Sequence, residues 1–156
     1  MSYNTILLDI DGVLVTTPAW KKAEFLKDGF LEFNKRAAHN LKKILSGTAA
    51  EIILTTSHRK NYSLPEWRNI LEARGIPVND LHKIDDELHH SGKSRAEEIL
   101  EWIHVYGLVK NYVILDDDTS LDSLPRQYKD KWVKTKPLIG LDDEATDKAM
   151  HILNDA

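Results

Sequence analysis

Three short apolar runs in this chain each end abruptly in a polar side chain. Thr5-Ile6-Leu7-Leu8 runs into Asp9, Ile52-Ile53-Leu54 into Thr55, and Tyr112-Val113-Ile114-Leu115 into Asp116. Apolar residues on consecutive positions predict strands covered on both faces, as in a parallel sheet. A further strand is predicted near Trp132-Val133 and a weaker one near His82-Lys83-Ile84. Amphipathic segments lie between them. Phe30 to Leu45 places Phe30, Phe33, Ala37, Leu41, Ile44 and Leu45 on one helical face, with Gly47 as its stop. Leu64 to Ala73 follows the capping box of Ser63 and Glu66, and Ser94 to Tyr106 carries a second box in Ser94 and Glu97. Gly75 and Gly107 mark their ends, and Asp142 to Leu153 closes the chain. Strands alternating with helices define an α/β sandwich around a mostly parallel sheet. Such sheets bind ligands beyond the carboxyl ends of their strands, so the polar residues that end the runs are expected to converge.

Bulk properties exclude several alternatives. A length of 156 residues suits one domain over 1–156. The balance of 21 Lys and Arg against 25 Asp and Glu, formally -4, argues against coating nucleic acid by bulk charge and leaves room for a local basic patch. Without cysteine there is no disulfide, thiolate zinc site or cysteine nucleophile. No apolar run approaches the ~20 residues that span a bilayer, and MSYNTILLDIDG lacks the layout of a signal peptide. A soluble cytoplasmic protein without a membrane partner is expected.

The chemistry sits at the strand ends. In Asp9-Ile10-Asp11-Gly12-Val13 the alternation of a strand would point both carboxylates to one side, before a turn at Gly12. One carboxylate could attack phosphorus while the other protonates the leaving oxygen and later activates water. The competing reading is an acidic turn; a calcium loop of EF-hand type fits poorly, because it needs its glycine in sixth position. Thr55-Thr56-Ser57-His58-Arg59 offers hydroxyls and backbone amides for a phosphoryl oxygen, with His58 and Arg59 as further substrate contacts, although such clusters are more often plain turns. Lys93, just before a helix, can neutralise a carboxylate and a phosphate, with Arg95 as the alternative cation and a solvated surface lysine as the ordinary reading. Asp116-Asp117-Asp118 follows the third run directly. If Asp9, Asp11, Asp116 and Asp117 converge, each like-charge pair at ~4 Å costs roughly 4 kcal/mol at an effective dielectric of 20. That demands protons or a divalent cation, and oxygen-only ligands suit Mg²⁺ rather than zinc.

In this order the residues resemble the four motifs of the haloacid dehalogenase superfamily: Asp9-Ile10-Asp11-Gly12-Val13 as the first, Thr55 or a neighbour as the second, Lys93 as the third, and Asp116-Asp117 as the fourth. The resemblance implies a three-layer Rossmann-like sandwich. It implies that Asp9 is the nucleophile, Asp11 the general acid and base, and Lys93 the catalytic cation. Thr55, Thr56, Ser57 and Arg59 would bind the substrate phosphate, and Mg²⁺ would be held by Asp9, the backbone carbonyl of Asp11, and Asp116 or Asp117. An acidic residue two positions after the nucleophile marks the phosphatases and phosphotransferases of that superfamily. Val13 to Phe30 would be the flap over the site, with Trp20 either a wall of it or ordinary core. No insertion leaves room for a cap domain, so the site would be open and suited to large substrates. Glu98-Ile99-Leu100-Glu101-Trp102-Ile103, Val113 to Asp118, Trp132-Val133-Lys134-Thr135 and Gly140-Leu141 are similar to small domains of this superfamily in bacterial and phage proteins, some fused to RNA-repair modules. The substrate implied is a terminal phosphate on a nucleic acid, met by a basic edge of His58, Arg59, Lys60 and Arg68.

Two other activities compete with that one: a generalist small-molecule phosphatase and an inactive binding domain. A receiver domain pairs its acids first in the chain rather than last, so its order does not fit. Trp67 and Trp102 are expected in the core. His104 is expected to be structural, and His82, His89 and His90 to lie in a solvated loop rather than around a metal.

Overall fold

The computed structural model describes residues 3–18, 20–84 and 93–154. Among these residues five strands form one sheet: β1 Asn4–Leu8, β2 Glu51–Leu54, β3 Leu81–Lys83, β4 Asn111–Asp116 and β5 Trp132–Lys134. All pair in parallel, in the order β3-β2-β1-β4-β5. The central strand, β1, aligns Leu8 with Leu54 on one side and Leu115 on the other. This register brings the next residue of each run to the same end of the sheet. The Asp9 amide donates to the Leu115 carbonyl at 3.0 Å and the Thr55 amide to that of Leu8 at 2.9 Å.

The helices are α1 Lys35–Thr48, α2 Leu64–Ala73, α3 Arg95–Tyr106, the short α4 Arg126–Lys129, and α5 Asp143–Asn154. Leu41 and Ile44 of α1, Trp67 and Leu71 of α2, and Ala149 and Leu153 of α5 pack with Ile6, Leu8, Ile52, Leu54 and Leu115. On the other face Ile99, Trp102 and Ile103 of α3 pack with Leu7, Ile53 and Ile114. Both faces are thus covered, which is why the runs are apolar at every position. Trp67 and Trp102 are core residues, as expected. The capping boxes of Ser63 with Glu66 and Ser94 with Glu97 both form, and each starts its helix. Among the described residues no helix is long and apolar enough to cross a membrane.

The first helix differs from expectation. Phe30 and Phe33 are buried, yet they precede α1 in an irregular segment. Asn34 explains the late start: its side chain accepts from the Ala37 amide, and its own amide donates to the Leu14 carbonyl. Gly47 is not the stop. It lies within α1, where an added Cβ would meet Met150 Cε of α5 at 2.6 Å. The helix ends instead at Ala49, in the left-handed conformation.

Other side chains also separate the readings. Trp20 is 82% exposed, which removes it from the core. His104 rests edge-on against the Tyr128 ring. His82 lies on β3 and pairs with Asp80 at 2.8 Å. Asp80 and His82 also gather around Glu51, but Lys110 already neutralises that buried carboxylate. His89 and His90 lie outside the described residues.

Candidate active site

Asp9 directly follows β1, and Asp116 and Asp117 lie at the end of β4. One oxygen from each comes within 4.8 Å of the others. Asp9 is only 6% exposed and Asp116 is fully buried. Burial, then the neighbouring charge of Asp116, pushes the Asp9 carboxyl up to about 8, against a partial counter-effect from Arg95. Burial likewise raises Asp116, and burial followed by Asp116 raises Asp117. Three oxygen donors that resist ionising side by side are the donor set a hard divalent cation stabilises, so the residues fit Mg²⁺.

The backbone around them is built for close approach. Gly12 has φ +80°, and a Cβ there would meet Asp117 Oδ2 at 2.1 Å. A side chain at position 12 would therefore be strained and would expel the Asp117 carboxylate. Thr135, the hydroxyl residue directly after β5, donates from Oγ1 to the Gly12 carbonyl at 2.7 Å and from its amide to the Asp116 carbonyl at 3.1 Å. It ties the first acidic loop to the second. Its own signal was the pattern of the other strands, a polar residue closing an apolar run, shortened here to Trp132-Val133.

The cation at the carboxylates is Arg95. Its Nη1 lies 2.6 Å from Asp116 Oδ2 and 3.4 Å from Asp9 Oδ1. Lys93, the residue expected there, has its Nζ held by Glu101 at 2.7 Å. Glu101 lies two turns along α3 and draws the lysine along the helix, whereas Arg95 is the first residue of that helix and faces β4. Asp116 also accepts from the Asp118 amide at 3.0 Å, so both of its oxygens meet donors.

Asp11 does not join the cluster. β1 stops at Leu8, and the amides of Val13, Leu14 and Val15 all turn back to the Ile10 carbonyl, so strand alternation no longer governs where Asp11 points. Its carboxylate meets His58 Nε2 at 2.8 Å and is half-exposed.

The hydroxyl segment divides by role. Thr55 Oγ1 is buried with no hydrogen-bond partner among the described residues, at a strand end beside Asp9. An orphaned hydroxyl there is suited to a phosphoryl oxygen. Thr56 is spent on structure: its Oγ1 accepts from the His58 amide and starts a 3₁₀ turn over Ser57–Asn61. Ser57 is exposed beside them. Arg59, expected to touch substrate, is 2% exposed. Its guanidinium donates to the Thr55 and Thr56 carbonyls at 3.2 and 3.0 Å and to Glu98 at 2.5 Å. That cross-link locks the turn to α3. The expected basic edge is likewise dispersed, because His58 pairs with Asp11 and Arg68 donates to the Val78 and Asn79 carbonyls. Lys60 stays exposed. With Lys93, Ser57, Arg95 and Asp118 it lines an open groove of about 430 Å³.

A parallel sandwich in which an aspartate ends the central strand, a hydroxyl ends the next, and paired aspartates end the third is the Rossmann-like fold of the haloacid dehalogenase class. The profile of one family, the HAD domain in Swiss Army Knife RNA repair proteins, matches residues 5–146, and the chain belongs to that family. No curated protein matches it.

Proposed function

We propose that this protein is a Mg²⁺-dependent phosphomonoester hydrolase that forms an aspartyl-phosphate on Asp9, and that it acts on the terminal phosphate of a nucleic-acid strand. The observation that carries the reading is Asp9 itself, a carboxyl buried at the end of the central strand, facing Asp116 and Asp117, and raised to about 8. A group so placed keeps its proton at neutral pH, and a protonated carboxyl is no nucleophile. Mg²⁺ held by Asp9, Asp116 and Asp117, with the Asp11 carbonyl, would keep Asp9 ionised and offset the charge of the phosphate.

The chemistry for the chain's own residues is then direct. An Asp9 oxygen forms a bond to phosphorus as the bond to the leaving oxygen breaks. The leaving oxygen keeps that electron pair and takes a proton from Asp11. Water next attacks the phosphorus and gives its proton back to Asp11. The Asp9–phosphorus bond breaks, and the carboxylate and inorganic phosphate are released. Thr55 Oγ1, with its lone donor proton, and Arg95 are suited to the phosphoryl oxygens.

Arg95→Ala should therefore lower kcat/KM more than Lys93→Ala, by about 10-fold or more, since a cation at developing charge is worth several kcal/mol in a desolvated site. Steady-state kinetics of the two variants ranks them; a larger loss in Lys93→Ala would return the third motif to Lys93.

The substrate class is supported by the family's RNA-repair setting and by the open groove carrying Lys60 and Lys93. A 3′-phosphorylated oligonucleotide should be hydrolysed with higher kcat/KM than small sugar phosphates, and its kcat/KM should fall as salt rises. Faster turnover of small esters without salt dependence would identify a generalist phosphatase. No turnover of any ester with Mg²⁺ would identify a binding domain.

A further inference from the structure

His58 is placed to govern Asp11, and we infer that it is a positioning residue for proton transfer, holding one Asp11 oxygen so that the other faces the leaving group. The inference rests on the phosphatase reading above. His58 Nε2 lies 2.8 Å from Asp11 Oδ2, and with Nε2 protonated it donates to that oxygen. That bond occupies Oδ2 and leaves Oδ1 to carry the proton that passes to the leaving oxygen and to receive the one from water. Without it, Asp11 is a half-exposed side chain on a loop, free to rotate away.

The imidazole is itself held on several sides. Its backbone amide donates to Thr56 Oγ1 at 3.2 Å. Its ring meets the buried Phe30 ring edge-on, with centroids 5.4 Å apart. Phe30 is fixed in turn against Tyr62 and Trp67 at 5.7 and 5.3 Å. Arg74 clamps the same segment from the end of α2. It donates to the Phe30 and Leu31 carbonyls and pairs with Asp28 at 2.7 Å, which holds the Asp28 carboxyl below its ordinary range. A chain of rigid contacts thus runs from the α2 terminus through the aromatic cluster to the proton-transfer carboxyl. Such support is what a transferring group needs, because small misplacement of an acid costs rate rather than binding.

Three variants and two substrates test this. His58→Ala should lower kcat for an alkyl phosphate by about 10- to 100-fold with KM within a few-fold, part of the ~10²–10⁴ that proton transfer contributes. The loss should be much smaller for 2,4-dinitrophenyl phosphate, whose leaving group departs without a proton. His58→Gln, whose amide nitrogen reaches the position of Nε2, should recover most of the rate. In an Asp11→Asn background, adding His58→Ala should change nothing further. Equal losses for both esters, no recovery in His58→Gln, or additive losses in the double variant would overturn the positioning role and leave the phosphatase reading standing. An unaltered protein that hydrolyses neither ester with Mg²⁺ overturns both.

Discussion

Replacing Asp9 with Asn should lower phosphatase turnover on the order of 10⁴-fold or more, as removal of a covalent nucleophile does elsewhere, while the fold persists. The amide keeps the shape of the carboxyl but cannot form the phosphoryl bond. Asp11→Asn should be less complete, since it removes only proton transfer, typically worth about 10²–10⁴-fold. The same Asp9→Asn variant should be more stable than the unaltered protein above pH 8 when metal is absent, because it deletes one of the three crowded acidic groups. A thermal melt in EDTA beside a turnover assay measures both effects on one sample. An active Asp9→Asn protein would sink the covalent mechanism.

Removing metal has an equally large expected effect, with a pH dependence whose sign follows from Asp9. Its carboxyl titrates near 3.8 when unfolded and at about 8 in the folded, metal-free site. Below pH 3.8 both states hold the proton. Between the two values the unfolded chain releases it and the folded chain keeps it, so stability falls as pH rises, and the loss is complete above about 8. Asp116 and Asp117, also raised, act in the same direction. In EDTA the Tm should therefore drop between pH 5 and 8, by on the order of 10 °C for a chain of this size. Mg²⁺ should reverse that drop, and most strongly at the alkaline end, since it binds the folded, ionised cluster and not the unfolded chain. Turnover should vanish in EDTA and return with Mg²⁺. Ca²⁺ should inhibit, because its looser coordination misplaces the nucleophile. A Tm in EDTA that rises between pH 5 and 8, or turnover undiminished by EDTA, would contradict the acidic cluster as a metal site.

The sheet and most of its helices are legible in the sequence, and the reason is the short range of the forces involved. A strand buried on both faces must be apolar at each position, so Thr5 to Leu8, Ile52 to Leu54 and Tyr112 to Leu115 announce themselves. A capping box closes within four residues, so Ser63 with Glu66 and Ser94 with Glu97 mark helix starts without help from the rest of the chain. Parallel pairing then puts Asp9, Thr55 and Asp116 at one end of the sheet as a matter of register.

What each polar side chain does there was decided only by tertiary contacts. Lys93 and Arg95 are both cations at the same helix start. Ile99, Trp102 and Ile103 pack that helix with Leu7 and Ile114, and of the two cations it is Arg95 that bonds Asp116 while Lys93 bonds Glu101. Arg59 reads as a surface contact in a polar segment; its burial depends on Glu98, 39 residues away, and on two backbone carbonyls that need a donor. Asp11 reads as the partner of Asp9 by strand alternation, but the chain leaves the strand at Leu8, and His58, 47 residues on, takes its carboxylate. Gly47 reads as a helix stop until Met150 of α5 is seen to need the space it leaves. Local patterning determined where the polar groups gather, because burial and capping act over a few residues. Tertiary structure determined which of them face one another, because a hydrogen bond or ion pair depends on ångström-scale placement of residues distant in the chain.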